Sequence, residues 1–136
     1  MKVFKVVKKV DDQYISIGCD NEPDFLTVYR VGETAYPPKK YPNAWLWAFK
    51  DFDRAFKFAF TFAELGTIDE HYLIFEAEAS EIKDAEYMCM GGLDNPFSKF
   101  WKNKRKKGAK FIAWSNSLLC KDITLITEVY DGKVPF

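Results

Sequence analysis

The sequence predicts a single α+β domain spanning residues 1–136, in which a curved, mostly antiparallel sheet packs around one Phe-rich helix and a second short basic helix follows later. Three observations predict it. Apolar, β-type runs recur along the whole chain. Only one long stretch carries a strong helical period, and it sits mid-chain with strands before and after it. The strict strand-and-helix alternation of a doubly wound sheet is absent. With 136 residues, 48% of them hydrophobic and 13 of them Phe, the chain can bury a core without help from metal or disulfides.

The first element is an alternating strand over residues 2–9, and Asp11-Asp12-Gln13 turns it into a second short strand from Tyr14 to Cys19. A loop at Asp20–Asp24 leads to an extended segment from Phe25 to Val31, with Leu26, Val28 and Arg30 on one face. Pro37, Pro38 and Pro42 then keep the Gly32–Asn43 stretch out of any central strand and make it a stiff surface loop. Residues 45–49 are apolar on both faces, as a central strand covered on two sides requires.

That strand runs straight into the helix. Asp51 is placed to cap it, Asp53 adds favourable negative charge in the first turn, and Gly66 supplies the stop. At helical spacing Phe52, Ala55, Phe56, Ala59, Phe60, Phe62 and Ala63 fill one arc, with Asp53, Arg54, Lys57, Thr61 and Glu64 opposite. Phe58 falls on the polar arc, where a loop, a partner chain or a ligand must cover its ring. A strand over His71–Ala79 follows, emerging from the core at Glu76 and Glu78. Residues 81–95 end in the loop signal Gly91-Gly92-Leu93-Asp94-Asn95-Pro96. Phe97–Lys107 is predicted as the short basic helix, and strands at Phe111–Ser115 and Ile123–Tyr130, joined through 116–122, close the chain.

The 20 basic residues balance the 20 acidic ones, so no global field draws in nucleic acid or membrane, and recognition of charge must come from local clusters. Cys19, Cys89 and Cys120 form no CxxC pair, and His71 is the only histidine, so neither a disulfide framework nor a metal site is expected and no cofactor is implied. Lysines interrupt the first apolar run too often for a signal peptide, and the cytoplasm is the expected location.

Two segments have the composition of a binding site. Tyr36, Lys39, Lys40 and Tyr41 put phenols and ammonium groups on the stiff proline loop, which suits a planar anion or a protein partner. Trp101, Lys104, Arg105 and Lys110 combine cations with an aromatic face, which suits a nucleotide or single-stranded nucleic acid, although the Walker and GxGxxG patterns are absent. With Phe58 these residues make up the expected ligand site. Each has a plainer reading, as a lid over the sheet edge or a solvated helix end. His71, and Glu76 with Glu78, read as structural or solvated. The unburied aromatics also suit a homodimer.

Arg30, Tyr36 and Glu128 resemble, in order and residue type, the layout of ADP-ribosyltransferases. That resemblance implies a catalytic reading in which the arginine grips a nicotinamide dinucleotide and the glutamate stabilises charge on ribose. An Arg30–Glu128 salt bridge is the simpler alternative. More broadly, Tyr29-Arg30-Val31-Gly32, Phe49-Lys50-Asp51-Phe52-Asp53-Arg54-Ala55 and Leu118-Leu119-Cys120 with Ile123, Leu125, Ile126, Glu128 and Val129 resemble small uncharacterised proteins of bacterial viruses and mobile elements. The resemblance implies an accessory or anti-defence protein in a bacterial cell, binding a host protein or a nucleotide-like messenger.

Overall fold

The computed structural model describes residues 1–17, 23–65, 71–85, 87–88, 111–112 and 116–132. Its main sheet is built on β1 (Lys2–Val10) and β6 (His71–Glu78), which pair antiparallel from Lys2↔Glu78 to Lys9↔His71. On the far side of β6 lies β11 (Ile123–Asp131), edged in part by β4 (Thr34–Ala35). Beyond β1 the sheet forks. Near its start, β1 meets β5 (Leu46–Phe49), followed by β10 (Ser117–Cys120) and β7 (Ile82–Asp84). Near its end it meets β2 (Gln13–Ile15), which carries β3 (Val28–Tyr29). A separate ribbon pairs β8 (Tyr87–Met88) with β9 (Phe111–Ile112). Every pairing among the described residues is antiparallel, and the sheet curls into a half-barrel.

The two faces follow from strand alternation. On β1, Val3 and Val7 point into a large core with Leu73, Phe75, Ala77, Leu46, Ala48, Leu118, Cys120, Ile123 and Leu125, and Tyr29 of β3 closes over it. Lys5 shares that face and is only 6% exposed. Its ammonium donates to the Trp47 carbonyl oxygen at 2.7 Å and lies 5.3 Å from the centre of the Tyr29 ring, so carbonyl and π-face replace part of its lost hydration.

The opposite face carries the helix α1 (Phe52–Leu65), which packs on Val6, Phe49, Tyr72 and Ile74. Asp51 caps it as expected: Oδ1 accepts from the Arg54 amide at 2.9 Å, and Oδ2 accepts from Asn116 Nδ2 at 2.5 Å. The helix thus starts where it is tied to the turn preceding β10. Its phase differs from the sequence expectation. Buried Ala55 and Ala59 lie at the centre of the contact, Phe52 and Phe56 flank it on one side and Phe58 on the other, and Phe60 is 53% exposed. Small residues at the centre let the helix approach the sheet closely while the rings fill the margins. The helix is packed against the sheet and the larger core lies on the other face.

Other departures are local. The expected strand from Phe25 to Val31 is a 3-10 turn at Pro23–Phe25 followed by the two residues of β3. The stretch read as a connection at 116–122 contains β10, buried along its whole length. The basic helix at 97–107 lies outside the described residues.

Candidate interaction surface

The strand β11 begins as an interior strand and ends as an exposed edge. Ile123 and Leu125 are fully buried in the large core. There β4 covers its outer side, with Ile123 opposite Ala35, Thr124 opposite Thr34 and the two threonine hydroxyls 2.8 Å apart. The turn after β3 adds one more bond, from the Gly32 amide to the Leu125 carbonyl at 2.9 Å. Gly32 has φ 84°, a conformation that glycine adopts without strain.

After Leu125 the strand changes character. Against β6 its register slips twice, between Leu125 and Thr127 and between Glu128 and Tyr130, so Ile126 and Val129 are extra residues in the ladder. Both are exposed, at 48% and 39%, and Val31, beside the Gly32 contact, is 51% exposed. Among the described residues no strand pairs with the outer side of β11 beyond Leu125. Glu128, between the two bulges, is exposed and has no ion-pair partner among them. The far end of the strand is fixed again: Tyr130 meets Phe56 edge-on with ring centres 5.1 Å apart, His71 Nε2 bonds the Asp131 carboxylate, and the Gly132 amide donates to the Tyr72 carbonyl at 2.9 Å. Exposed Phe60 stacks on Phe56 at 6.3 Å and extends the apolar surface from the strand onto the helix flank.

The other margin of the sheet is occupied differently. At β7, Asp84 pairs with Lys50 at 3.0 Å, and the Lys83 ammonium lies 4.3 Å over the Trp45 ring. Charged side chains on an edge discourage pairing with other chains.

Of the residues singled out in the sequence as a ligand site, those that are described lie on the proline loop and on the helix. Tyr41 stacks on Phe25 at 4.3 Å with an interplanar angle of 21°, in a half-buried cluster with Ala44, Leu119, Trp45 and Trp47. Lys40 is paired to Asp24 at 3.2 Å, and that hydrogen bond raises the ammonium pKa above its ordinary value. Tyr36 and Lys39 are exposed on the same loop. Phe58 is covered by its own chain, tilted against Phe49 at 5.2 Å. The proline loop and Phe58 therefore cover neighbouring parts of one sheet face, the loop through Trp47 and Leu119 and the helix through Phe49. Trp101, Lys104, Arg105 and Lys110 lie outside the described residues.

The residues of the transferase layout are also placed. Arg30 is largely exposed and pairs with Glu33 at 3.8 Å, while Glu128 stands on the bulged strand. The Arg30–Glu128 bridge expected from the sequence is not formed. Among the described residues no group of three His, Cys, Asp or Glu side chains could hold a metal ion, and no helix is long and apolar enough to cross a membrane. Cys120 is buried and free, and burial pushes its thiol up to about 11 despite the opposing field of Lys5.

Sequence reasoning missed the bulges at Ile126 and Val129, although a signal was present. Leu125-Ile126 and Val129-Tyr130 are adjacent apolar pairs, which break a period of two wherever a strand bulges. No protein-family model, curated protein or solved structure matches this chain.

Proposed function

We propose that this chain is a non-catalytic binding protein of the small accessory type, and that its partner is another protein. The observation that carries the reading is the exposure of the aliphatic residues Ile126 and Val129 at the bulges of β11 and of Val31 beside the Gly32 contact. Exposed aliphatic groups clustered on a strand edge favour association. A nucleotide reading draws less support, because Lys40 and Tyr41 are engaged by Asp24 and Phe25. A transferase reading draws less still, because Arg30 is held by Glu33 on an open surface. An anti-defence role in a bacterial host is the biological setting suggested by the sequence resemblance, and a host protein is then the partner sought.

The test is a paired capture experiment from bacterial lysate. Wild-type protein and the double variant Ile126→Asp/Val129→Asp serve as baits, after matching melting curves establish that both are folded. A protein retained by wild type and lost from the variant supports the reading. Equal retention by both, or a melting temperature raised by mononucleotides or cyclic dinucleotides and unchanged by any captured protein, overturns it.

A further inference from the structure

We propose that Lys5 is a clasp across the fork of the sheet, holding the β5–β10–β7 branch and the β2–β3 branch together and keeping the core between them shut. On the side of β1 where the sheet divides, β5 pairs at Phe4↔Phe49 and β2 pairs from Lys8↔Ile15 to Val10↔Gln13. Lys5 is therefore the first residue past the β5 pairing, at the point where the branches part. Its ammonium reaches both of them, donating to the Trp47 carbonyl of β5 at 2.7 Å and lying 5.3 Å from the centre of the Tyr29 ring of β3. Trp47 is two residues from Phe49, beyond the position paired to β1, so a side chain makes the link where the ladder has stopped.

The link depends on the charge. A carbonyl oxygen and a π-face both attract a cation, and they do so more strongly away from water. What the clasp holds shut is the large core. Tyr29 is 2% exposed and closes over a cluster that includes fully buried Cys120. From Tyr29 the chain continues into the turn whose Gly32 amide bonds the Leu125 carbonyl. Swinging β2 and β3 away from β5 lifts Tyr29, uncovers the Cys120 thiol and strains the Gly32 contact, and Lys5 resists that motion. The opposite case is a buried charge that is merely tolerated, for which an apolar side chain of similar volume is neutral or stabilising. The clasp stands whether or not the protein-binding reading does.

The test follows hydrogen exchange at Gln13–Ile15, Val28–Tyr29 and Gly32, and the slow labelling of Cys120 by iodoacetamide without denaturant, in the full chain. Lys5→Met, similar in length and uncharged, should speed both by at least about tenfold, the factor that a desolvated cation–π contact is worth. Asp51→Ala acts at the helix, which stays capped when the fork opens, so it should speed only the slowest amides of β1 and β6 and leave the fork amides and Cys120 at their wild-type rates. Tyr29→Leu removes the ring and leaves the carbonyl bond. It should speed the same set, and Lys5→Met should then add less to Tyr29→Leu than to wild type, because cation and ring act as a pair. Should Lys5→Met fail to fold, Tyr29→Leu set against Asp51→Ala decides the matter. Fork amides and Cys120 unmoved by Lys5→Met, or by Tyr29→Leu, overturn the clasp. So does Cys120 labelling that Asp51→Ala speeds as much as Lys5→Met does, since the thiol is then reached only by global unfolding.

Discussion

Removing the Asp51 carboxylate tests how helix and sheet are joined. Its two oxygens serve separate tasks, one capping the helix through the Arg54 amide at 2.9 Å and the other receiving Asn116 Nδ2 at 2.5 Å from the turn before β10. Loss of an N-cap acceptor costs about 1 kcal/mol. Loss of a charge-assisted hydrogen bond at a half-buried carboxylate adds about 1 kcal/mol more. Asp51→Ala should therefore destabilise the fold by about 2 kcal/mol, measured by urea unfolding. For a domain of this size that corresponds to a fall in Tm of about 6–8 °C. Asn116 has φ 64°, so Asn116→Gly removes the side chain without straining the turn and isolates the second bond. It should cost about half as much as Asp51→Ala, and the double variant should add little to Asp51→Ala for that bond. A loss below about 0.5 kcal/mol for Asp51→Ala, or full additivity in the double variant, would refute this account of the junction.

Further outcomes follow from burial. Ala59→Leu places a larger side chain at the centre of the helix contact, where Ala59 is buried, and should destabilise by about 1–3 kcal/mol in the same urea assay. Phe60→Ser, on the exposed flank, should leave stability within about 0.5 kcal/mol in the urea assay. Cys120 stays neutral when folded, with its thiol pushed from 9.0 to about 11, whereas the unfolded thiol ionises near the lower value. Its contribution is therefore complete below pH 9.0 and is lost as pH rises through about 11, at about 1.4 kcal/mol per pH unit between them. Cys120→Ala should remove that part of the alkaline slope. In the folded protein at neutral pH the same thiol should resist alkylation until denaturant is added.

Much of the architecture was legible because local signals agreed with one another. The capping aspartate, the apolar run at 45–49 and the Phe-rich helix each pointed to the same junction, and β5 does lie inside the sheet between β1 and β10. The helix phase was not legible. Ring size drew the expected contact toward Phe60, whereas close approach to the sheet selects the small Ala55 and Ala59 as its centre. The strand β10 was obscured by its shortness, since Ser117 and Cys120 flank only two leucines and burial comes from the neighbouring strands. The candidate surface was hidden for a related reason: an edge is a property of what fails to pair, and no local pattern in Ile123–Asp131 records that β4 stops opposite Thr124. The composition of the proline loop marked it in the sequence, whereas the stacking of Tyr41 on Phe25 is a tertiary contact that no local pattern records.

The open outer edge of β11 is tested most directly by residue-resolved hydrogen exchange in the isolated protein. Along 126–131 the amides bonded to β6 should exchange slowly, near the rate set by global unfolding, and those directed away from it should exchange rapidly, while both kinds are slow at 123–124 beside β4. Uniformly slow exchange from 123 to 131 would show that the edge is already occupied, and would contradict the account.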